Sequence, residues 1–332
     1  MAPTYLAGSD FLTLSNIYML VGFLLAGYSV IANDSVQTLG TFLSSNRERV
    51  KWYWLWAASA TVLVVVLTTG WYLNNGDIAY GRLAKIPQPT EFYWYQAFAP
   101  AVLLLLTRFG LPVSTTFLTL SMFASSVVLE QMLMKSVIGY ALAAISAYLF
   151  WLLLSRLFNE FKHVPPQQEK FWRVAQWCAT GLLWSSWLTH DMANVAVYLP
   201  RQMSVPYLLL MLGVAVTALG WVFYTYGGAI QKVVMNKSGV RYVRSATLID
   251  LFYAFLLFFF KEYNSIPMST TWVFVGLLTG RELAIYRLHD AEKGITTIFP
   301  ILLKDFFKIM LGLAASVGIV LMVMWLQGDH PG

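Results

Sequence analysis

Two short polar motifs, each present twice, are the chemically most informative part of this chain. The first motif joins an aspartate to amide side chains and reads Ala32-Asn33-Asp34-Ser35-Val36-Gln37 in one copy and His190-Asp191-Met192-Ala193-Asn194 in the other. The second motif, Pro-x-Ser-Thr-Thr, occupies residues 112–116 and 267–271. Asp34 precedes Ser114 by 80 residues, and Asp191 precedes Ser269 by 78. Polar groups repeated in one order within apolar stretches indicate a transporter built from two structural repeats.

The aspartate motif has the chemistry of a cation site. A helix that breaks inside a bilayer leaves free carbonyls, which are tolerated only where they line a cavity or bind an ion. Carboxylate, amide and carbonyl oxygens suit a small hard cation. We therefore predict a helix broken at each copy and a cation site formed by Asn33, Asp34, Asp191 and Asn194, with Asp34 and Asp191 as the metal ligands if the ion is Na+. The alternative is that each aspartate is an ordinary helix N-cap.

The Pro-x-Ser-Thr-Thr motif has the chemistry of an anion site. Proline suits the first turn of a helix, and the following hydroxyls and amides lie near the partly positive helix start, where anions bind. The alternative is a pair of capped helices whose hydroxyls bond back to the backbone. The predicted oxyanion ligands are Ser114, Thr115, Thr116, Ser269, Thr270 and Thr271, with Gln37 from the first aspartate motif.

Four further polar residues are candidates for coupling or for steering the anion. Asp250 lies in an apolar run, where an ionisable group is a functional hypothesis by default. Arg108 and Lys261 precede the two Pro-x-Ser-Thr-Thr motifs, although Lys261 could instead pair with Glu262. His190 is either a proton-linked group or a helix-end histidine bonded to a carbonyl.

The composition is that of an integral membrane protein. Of 332 residues, 58% are hydrophobic and 11% charged, against about 25% charged in soluble domains. A bilayer crossing needs about 20 apolar residues, and the continuous apolar runs do not fit alternating barrel strands. The fold class is therefore all-α. The long apolar stretches lie near 12–31, 53–72, 93–107, 135–158, 171–189, 205–226, 246–260 and 305–326.

The repeats divide the chain into residues 1–160 and 161–332, which together form one transporter domain. If each half crosses the membrane an odd number of times, with the Pro-x-Ser-Thr-Thr stretch as a re-entrant hairpin, most of the 22 lysines and arginines fall on one side. This distribution obeys the positive-inside rule. We predict two inverted repeats in the cytoplasmic (inner) membrane, surrounded by lipid, with both termini outside. Topology also explains the net charge of +6, so nucleic acid is not an expected partner.

Several other chemistries lack their motifs. The single Cys178 excludes an intramolecular disulfide and a cysteine metal cluster. Since no P-loop, GxGxxG or GxSxG is present, we expect no enzyme activity and no cofactor beyond a coupling ion, Na+ or H+. An anion channel and a non-transporting anion sensor remain alternatives. A serine hydrolase using His190 and Asp191 is less favoured, because neighbouring side chains point in different directions on a helix.

The motifs resemble those of the inorganic phosphate transporter (PiT) family, whose halves each contain G-A-N-D-V-A-N-A and later P-[VI]-S-T-T-H. The resemblance implies import of phosphate, or of sulfate in the sulfate-permease relatives, coupled to Na+ or H+. It also implies inverted repeats and a homodimer, and Asp250 falls where the family tends to have a membrane glutamate. The chain departs from the family pattern at Gln37, His190, Phe117 and Trp272. Because of these departures, the ratio of coupling ion to anion stays open. Sulfate and bicarbonate remain alternatives to phosphate as the anion.

Overall fold

The computed structural model describes residues 13–108, 113–154, 164–227, 243–263, 269–289 and 299–327, and every regular element in these ranges is a helix. The all-α prediction is confirmed. The helices are α1 (Leu14–Asn46), α2 (Trp52–Leu73), α3 (Trp94–Arg108), α4 (Thr115–Leu120), α5 (Ser126–Leu154), α6 (Pro166–Asp191), α7 (Ala193–Ala196), α8 (Val205–Tyr224), α9 (Val243–Tyr263), α10 (Thr270–His289) and α11 (Phe299–Gln327).

Helices of membrane-spanning length confirm that the protein resides in a membrane. Within the described ranges, five segments are long and apolar enough to cross a bilayer: Leu14–Ser35, Trp52–Leu73, Ser126–Leu154, Val205–Tyr224 and Val243–Phe260. Two shorter apolar helices accompany them. The predicted repeat boundary at 160/161 and both chain termini fall outside the described residues, so the inverted topology and the outside termini stay predictions.

Helix α1 corrects one prediction, because it does not break at the first aspartate motif. It runs without interruption for 33 residues through Asn33 and Asp34, a length of about 50 Å. No proline or glycine lies between residues 28 and 39. The hydroxyls of Ser35 and Thr38 donate to the carbonyls of Ile31 and Ser35, so both side chains form hydrogen bonds within the helix.

The second aspartate motif does interrupt its helix. Helix α6 ends at Asp191, Met192 forms a turn, and α7 continues for only four residues. Pro200 follows, and the chain does not become helical again until α8 at Val205. The predicted break is therefore confirmed in the second copy only.

Two glycines let α5 and α10 lie unusually close together. A Cβ at Gly276 would collide with the carbonyl oxygen of Tyr140, and one at Gly280 would collide with that of Ala144. Small residues spaced by four are typical of close helix contacts in membranes. This contact fixes the position of α10, whose first turn contains the second Ser-Thr-Thr segment.

Candidate functional site

Each Ser-Thr-Thr segment begins a helix with its serine as the cap. Oγ of Ser114 accepts a hydrogen bond from the amide of Phe117 at 3.2 Å, and Oγ of Ser269 accepts one from the amide of Trp272 at 3.3 Å. Positions 112 and 267, the motif prolines, lie outside the described residues. Both motifs therefore begin a helix, as expected, with the serine caps of the alternative interpretation, and the two hydroxyl protons remain able to donate to a ligand.

Asp34 is fully buried where α1 meets the start of α4. Its Oδ2 accepts a hydrogen bond from Thr115 Oγ1 at 2.5 Å, and its Oδ1 accepts from Asn33 Nδ2 at 2.7 Å and Gln37 Nε2 at 3.2 Å. Asn33 also donates to the carbonyl of Val113 at 3.3 Å. The two motifs of the first half are thus joined directly at this carboxylate.

Asp191 is buried in a similar way at the end of α6. Its Oδ1 accepts hydrogen bonds from Asn194 Nδ2 at 3.2 Å and from Thr116 Oγ1 at 3.4 Å. The hydroxyl of Thr270 also interacts with this carboxylate, but without hydrogen-bonding geometry. The second aspartate therefore contacts Ser-Thr-Thr segments from both halves.

The two amide side chains cross between the halves in the same manner. Gln37 and Asn194 each lie three residues after their aspartate, and each donates to it at 3.2 Å. Gln37 also donates to Thr271 Oγ1 at 3.1 Å, and Asn194 donates to Thr116 Oγ1 at 3.3 Å. Both hydroxyls belong to the last threonine of a Ser-Thr-Thr segment. The two motif copies therefore make matching hydrogen bonds as well as having similar sequences. Gln37 makes in the first half the contacts that Asn194 makes in the second.

Oxygen atoms suited to a cation remain unpaired at this crossing. Among the described residues, Oε1 of Gln37, Oδ1 of Asn194 and Oδ2 of Asp191 are buried without a hydrogen-bond partner. With the Asp34 carboxylate they make a set of hard oxygen ligands. The described part of the chain has no cluster of three or more His, Cys, Asp or Glu side chains that could hold a metal ion. The amides are thus needed to complete a cation site with the two aspartates.

Other side chains support the Ser-Thr-Thr segments without having been predicted. Ser136 of α5 accepts from the Ser269 amide at 2.9 Å, and the Tyr253 hydroxyl donates to the Thr270 carbonyl at 3.0 Å. The rings of Phe117 and Trp272, which directly follow the two segments, pack with their centroids 6.2 Å apart. A single serine or tyrosine in an apolar helix gives no sequence signal, because most such residues bond only within their own helix.

A buried arginine at the site was also not foreseen. Arg82 lies in the loop between α2 and α3, yet it is only 4% exposed. Its guanidinium contacts Nδ1 of His190, and it interacts electrostatically with Asp191. His190 also contacts the Leu257 carbonyl through Nε2 at 2.9 Å. The histidine therefore lies between α9 and the Arg82 loop.

The remaining candidates lie apart from the two aspartates or outside the described side chains. Asp250 is buried, and its carboxylate accepts from Thr41 of α1 at 2.6 Å and from Thr180 of α6 at 2.5 Å. These contacts join α9 to the two helices with the site aspartates, but do not include either aspartate. The side chains of Arg108 and Lys261 are outside the described part of the structure.

Comparison with known proteins identifies the fold. No protein-family model matches the chain, and no curated protein matches it significantly. A solved structure described as "The sodium-dependent phosphate transporter" matches with a TM-score of 0.56 at 15% sequence identity. The match covers 93% of this chain and 98% of the other. The chain therefore shares the fold of that transporter over almost its whole length.

Proposed function

We propose that this protein is a secondary transporter of the inorganic phosphate transporter family, a symporter that moves phosphate together with Na+ or H+. The main support is the crossing in which two aspartates and two amides contact both Ser-Thr-Thr segments inside a membrane bundle. The shared fold with a protein described as a sodium-dependent phosphate transporter favours the same substrate. Ionisable and amide groups buried inside a bundle of membrane helices are typical of ion and substrate pathways.

The anion is proposed to bind at the starts of α4 and α10. A tetrahedral oxyanion needs several donors, and the six hydroxyls of the two segments provide them without a dense cluster of fixed cations. Hydroxyl donors allow the anion to leave again on the other side. The ligands proposed are Ser114, Thr115, Thr116, Ser269, Thr270 and Thr271, with the amide of Gln37.

Threonine hydroxyls provide a physical link between the cation and the anion. In this structure Thr115 donates to Asp34 and Thr116 donates to Asp191. A hydroxyl has one proton, so these threonines cannot donate to a carboxylate and an anion at once. A cation on a carboxylate would take over its oxygens and release the threonine proton for the anion. Each ligand then raises the affinity for the other, by the same factor in both directions.

Charge gives a second reason for symport. Two buried carboxylates repel an approaching oxyanion in a site of low dielectric constant. A bound cation removes that repulsion, so anion binding follows cation binding. A bound cation also offsets part of the charge of the anion, which lowers the electrostatic cost of burying the anion in the protein.

Uptake by proteoliposomes containing the purified protein tests this function. Labelled phosphate, sulfate and bicarbonate are offered with an inward Na+ gradient, an inward H+ gradient or neither. We expect phosphate accumulation above equilibrium with one of the cation gradients, and its loss in Asp34→Asn. Gly318→Ala is a suitable control, because an added Cβ there meets nothing within 4 Å. Flux that only equalises the anion without gradient coupling indicates a channel and contradicts symport.

A further inference from the structure

The hydrogen bonds of the site repeat between the two halves, but the charges do not. The Arg82 guanidinium contacts His190, the residue directly before Asp191, and interacts electrostatically with the Asp191 carboxylate. The groups shown to interact with Asp34 in the described part of the chain are Asn33, Thr115, Gln37, Tyr253 and the Asp191 carboxylate, none of which is a cation. One aspartate is therefore compensated by the protein and the other is not.

The loop between α2 and α3 holds Arg82 firmly in this position. The Asp77 carboxylate accepts hydrogen bonds from the amides of Ala79 and Gly81, both at 2.7 Å. The Tyr80 hydroxyl donates to the Val66 carbonyl of α2 at 3.0 Å, which anchors the turn to that helix. Tyr80 and Gly81 have φ angles of +53° and +75°, a left-handed backbone that is strained for tyrosine. The turn is therefore shaped to direct Arg82 into the bundle.

His190 positions the Arg82 guanidinium but is itself uncharged. The Leu257 carbonyl can only accept a hydrogen bond, so the proton of the His190 ring is on Nε2. Nδ1 then accepts from Arg82, and the ring is neutral. Burial lowers the pKa of Arg82 to about 10, opposed by the charge of Asp191, so the guanidinium is a cation at neutral pH. No direct ion pair joins Arg82 to Asp191 within the described residues, which leaves the carboxylate oxygens free of the guanidinium.

We propose that Arg82 is a built-in cation that replaces one coupling ion, so that a single exchangeable cation binds at Asp34 for each anion transported. This inference rests on the proposed symport. A buried carboxylate requires a compensating charge, and an arginine supplies one permanently. Asp191 obtains this charge from Arg82, whereas Asp34 must obtain it from solution. Without Arg82, the Asp191 carboxylate would also need a cation from solution.

The ratio of cation to phosphate flux tests the role of Arg82 in the full-length protein. In proteoliposomes, ²²Na+ and labelled phosphate uptake are measured together, with a trapped pH dye in a parallel arm that follows protons. We expect the wild-type ratio to rise by about one cation per phosphate in Arg82→Gln and to be restored in Arg82→Lys. Arg201→Gln is the matched control, since Arg201 bonds to the Ile86 and Pro87 carbonyls of the same loop and leaves the Arg82 charge in place.

The possible outcomes distinguish failure of the proposed transport function from failure of the proposed role of Arg82. A wild type that takes up no phosphate contradicts the proposed function itself. Phosphate uptake with an unchanged cation ratio in Arg82→Gln overturns the role of Arg82 alone. So does an equal rise in Arg201→Gln, because the effect then comes from loosening the loop.

If Arg82→Gln does not fold, cation binding to the purified protein tests whether the exchangeable cation binds at Asp34. Binding of the coupling cation identified in the flux assay is measured for wild type, Asp34→Asn and Asp191→Asn, as ²²Na+ binding or as proton uptake. We expect Asp34→Asn to lose the bound cation and Asp191→Asn to weaken its binding much less. Loss of the cation in Asp191→Asn with retention in Asp34→Asn, or equal loss in both, overturns the proposal.

Discussion

The side-chain amide of Gln37 donates a hydrogen bond to the hydroxyl of Thr271 at 3.1 Å, across 234 residues of sequence. The bond joins α1, in the first half, to the first turn of α10, in the second. Asn194 makes the equivalent bond to Thr116 at 3.3 Å. The aspartate motif of each half therefore contacts the Ser-Thr-Thr segment of the other half, and a change at one ligand position reaches both halves.

Loss of the Gln37–Thr271 contact should weaken phosphate binding. We expect Gln37→Leu and Thr271→Val each to cost about 1–2 kcal/mol, roughly 5- to 30-fold in affinity, because each leaves a buried polar partner unsatisfied. In the double variant the losses should not add, since both changes remove one bond. Equilibrium binding of labelled phosphate to purified protein measures all three variants. Fully additive losses contradict a shared role for the two residues.

Thr116 should matter for transport more than a threonine one turn later. Its hydroxyl donates to Asp191 and accepts from Asn194, whereas the buried hydroxyl of Thr119 has no hydrogen-bond partner among the described residues. We expect Thr116→Val to raise the phosphate KM roughly tenfold and Thr119→Val to leave it unchanged. Equal effects of the two variants in the uptake assay would count against the site assignment.

The contact of α5 with α10 should not tolerate a methyl group. We expect Gly280→Ala to lower stability by about 1–3 kcal/mol, because its Cβ would meet the Ala144 carbonyl and separate the helices. Gly318→Ala, with open space around it, should be neutral or slightly stabilising. Thermal unfolding in detergent measures both. An unchanged melting temperature for Gly280→Ala contradicts the close contact.

Asp250 should act as a link between helices that tolerates an amide but not truncation. Thr41 and Thr180 donate to it from α1 and α6, and Asp250→Ala leaves both hydroxyls without this acceptor. We expect a loss of about 2–4 kcal/mol in Asp250→Ala, and a much smaller one in Asp250→Asn, which keeps one acceptor oxygen. Thermal unfolding of both proteins tests this expectation. Similar melting temperatures for Asp250→Ala and wild type rule out the linking role.

The membrane class and the central motifs could be predicted from the sequence because both depend on local patterns. Long apolar runs predict helices of spanning length, and Pro-x-Ser-Thr-Thr predicts the start of a helix, as α4 shows at Thr115. The repetition of both motifs at similar spacing indicated that the aspartate motifs and the Ser-Thr-Thr segments belong to one site. Gln37 looked like a departure from the pattern, yet its longer side chain reaches the same kind of hydroxyl that Asn194 reaches.

The parts that could not be predicted depend on contacts between distant segments. The break expected at Asp34 does not occur, because its carboxylate is satisfied by side chains rather than by free backbone groups. The burial of Arg82 could not be predicted, since nothing near it in sequence shows that its loop folds back onto His190, 108 residues later. Ser136 is likewise placed at Ser269 only by the packing of α5 on α10.

Reciprocal binding of cation and phosphate to the purified wild-type protein tests the central claim most directly. The phosphate dissociation constant is measured at increasing Na+ and, separately, at decreasing pH, and the cation dissociation constant is measured with and without phosphate. We predict that one of the two cations tightens phosphate binding, that phosphate tightens binding of that cation by the same factor, and that Asp34→Asn abolishes both effects. Phosphate binding that is independent of both cations, or coupling that persists in Asp34→Asn, would contradict the account.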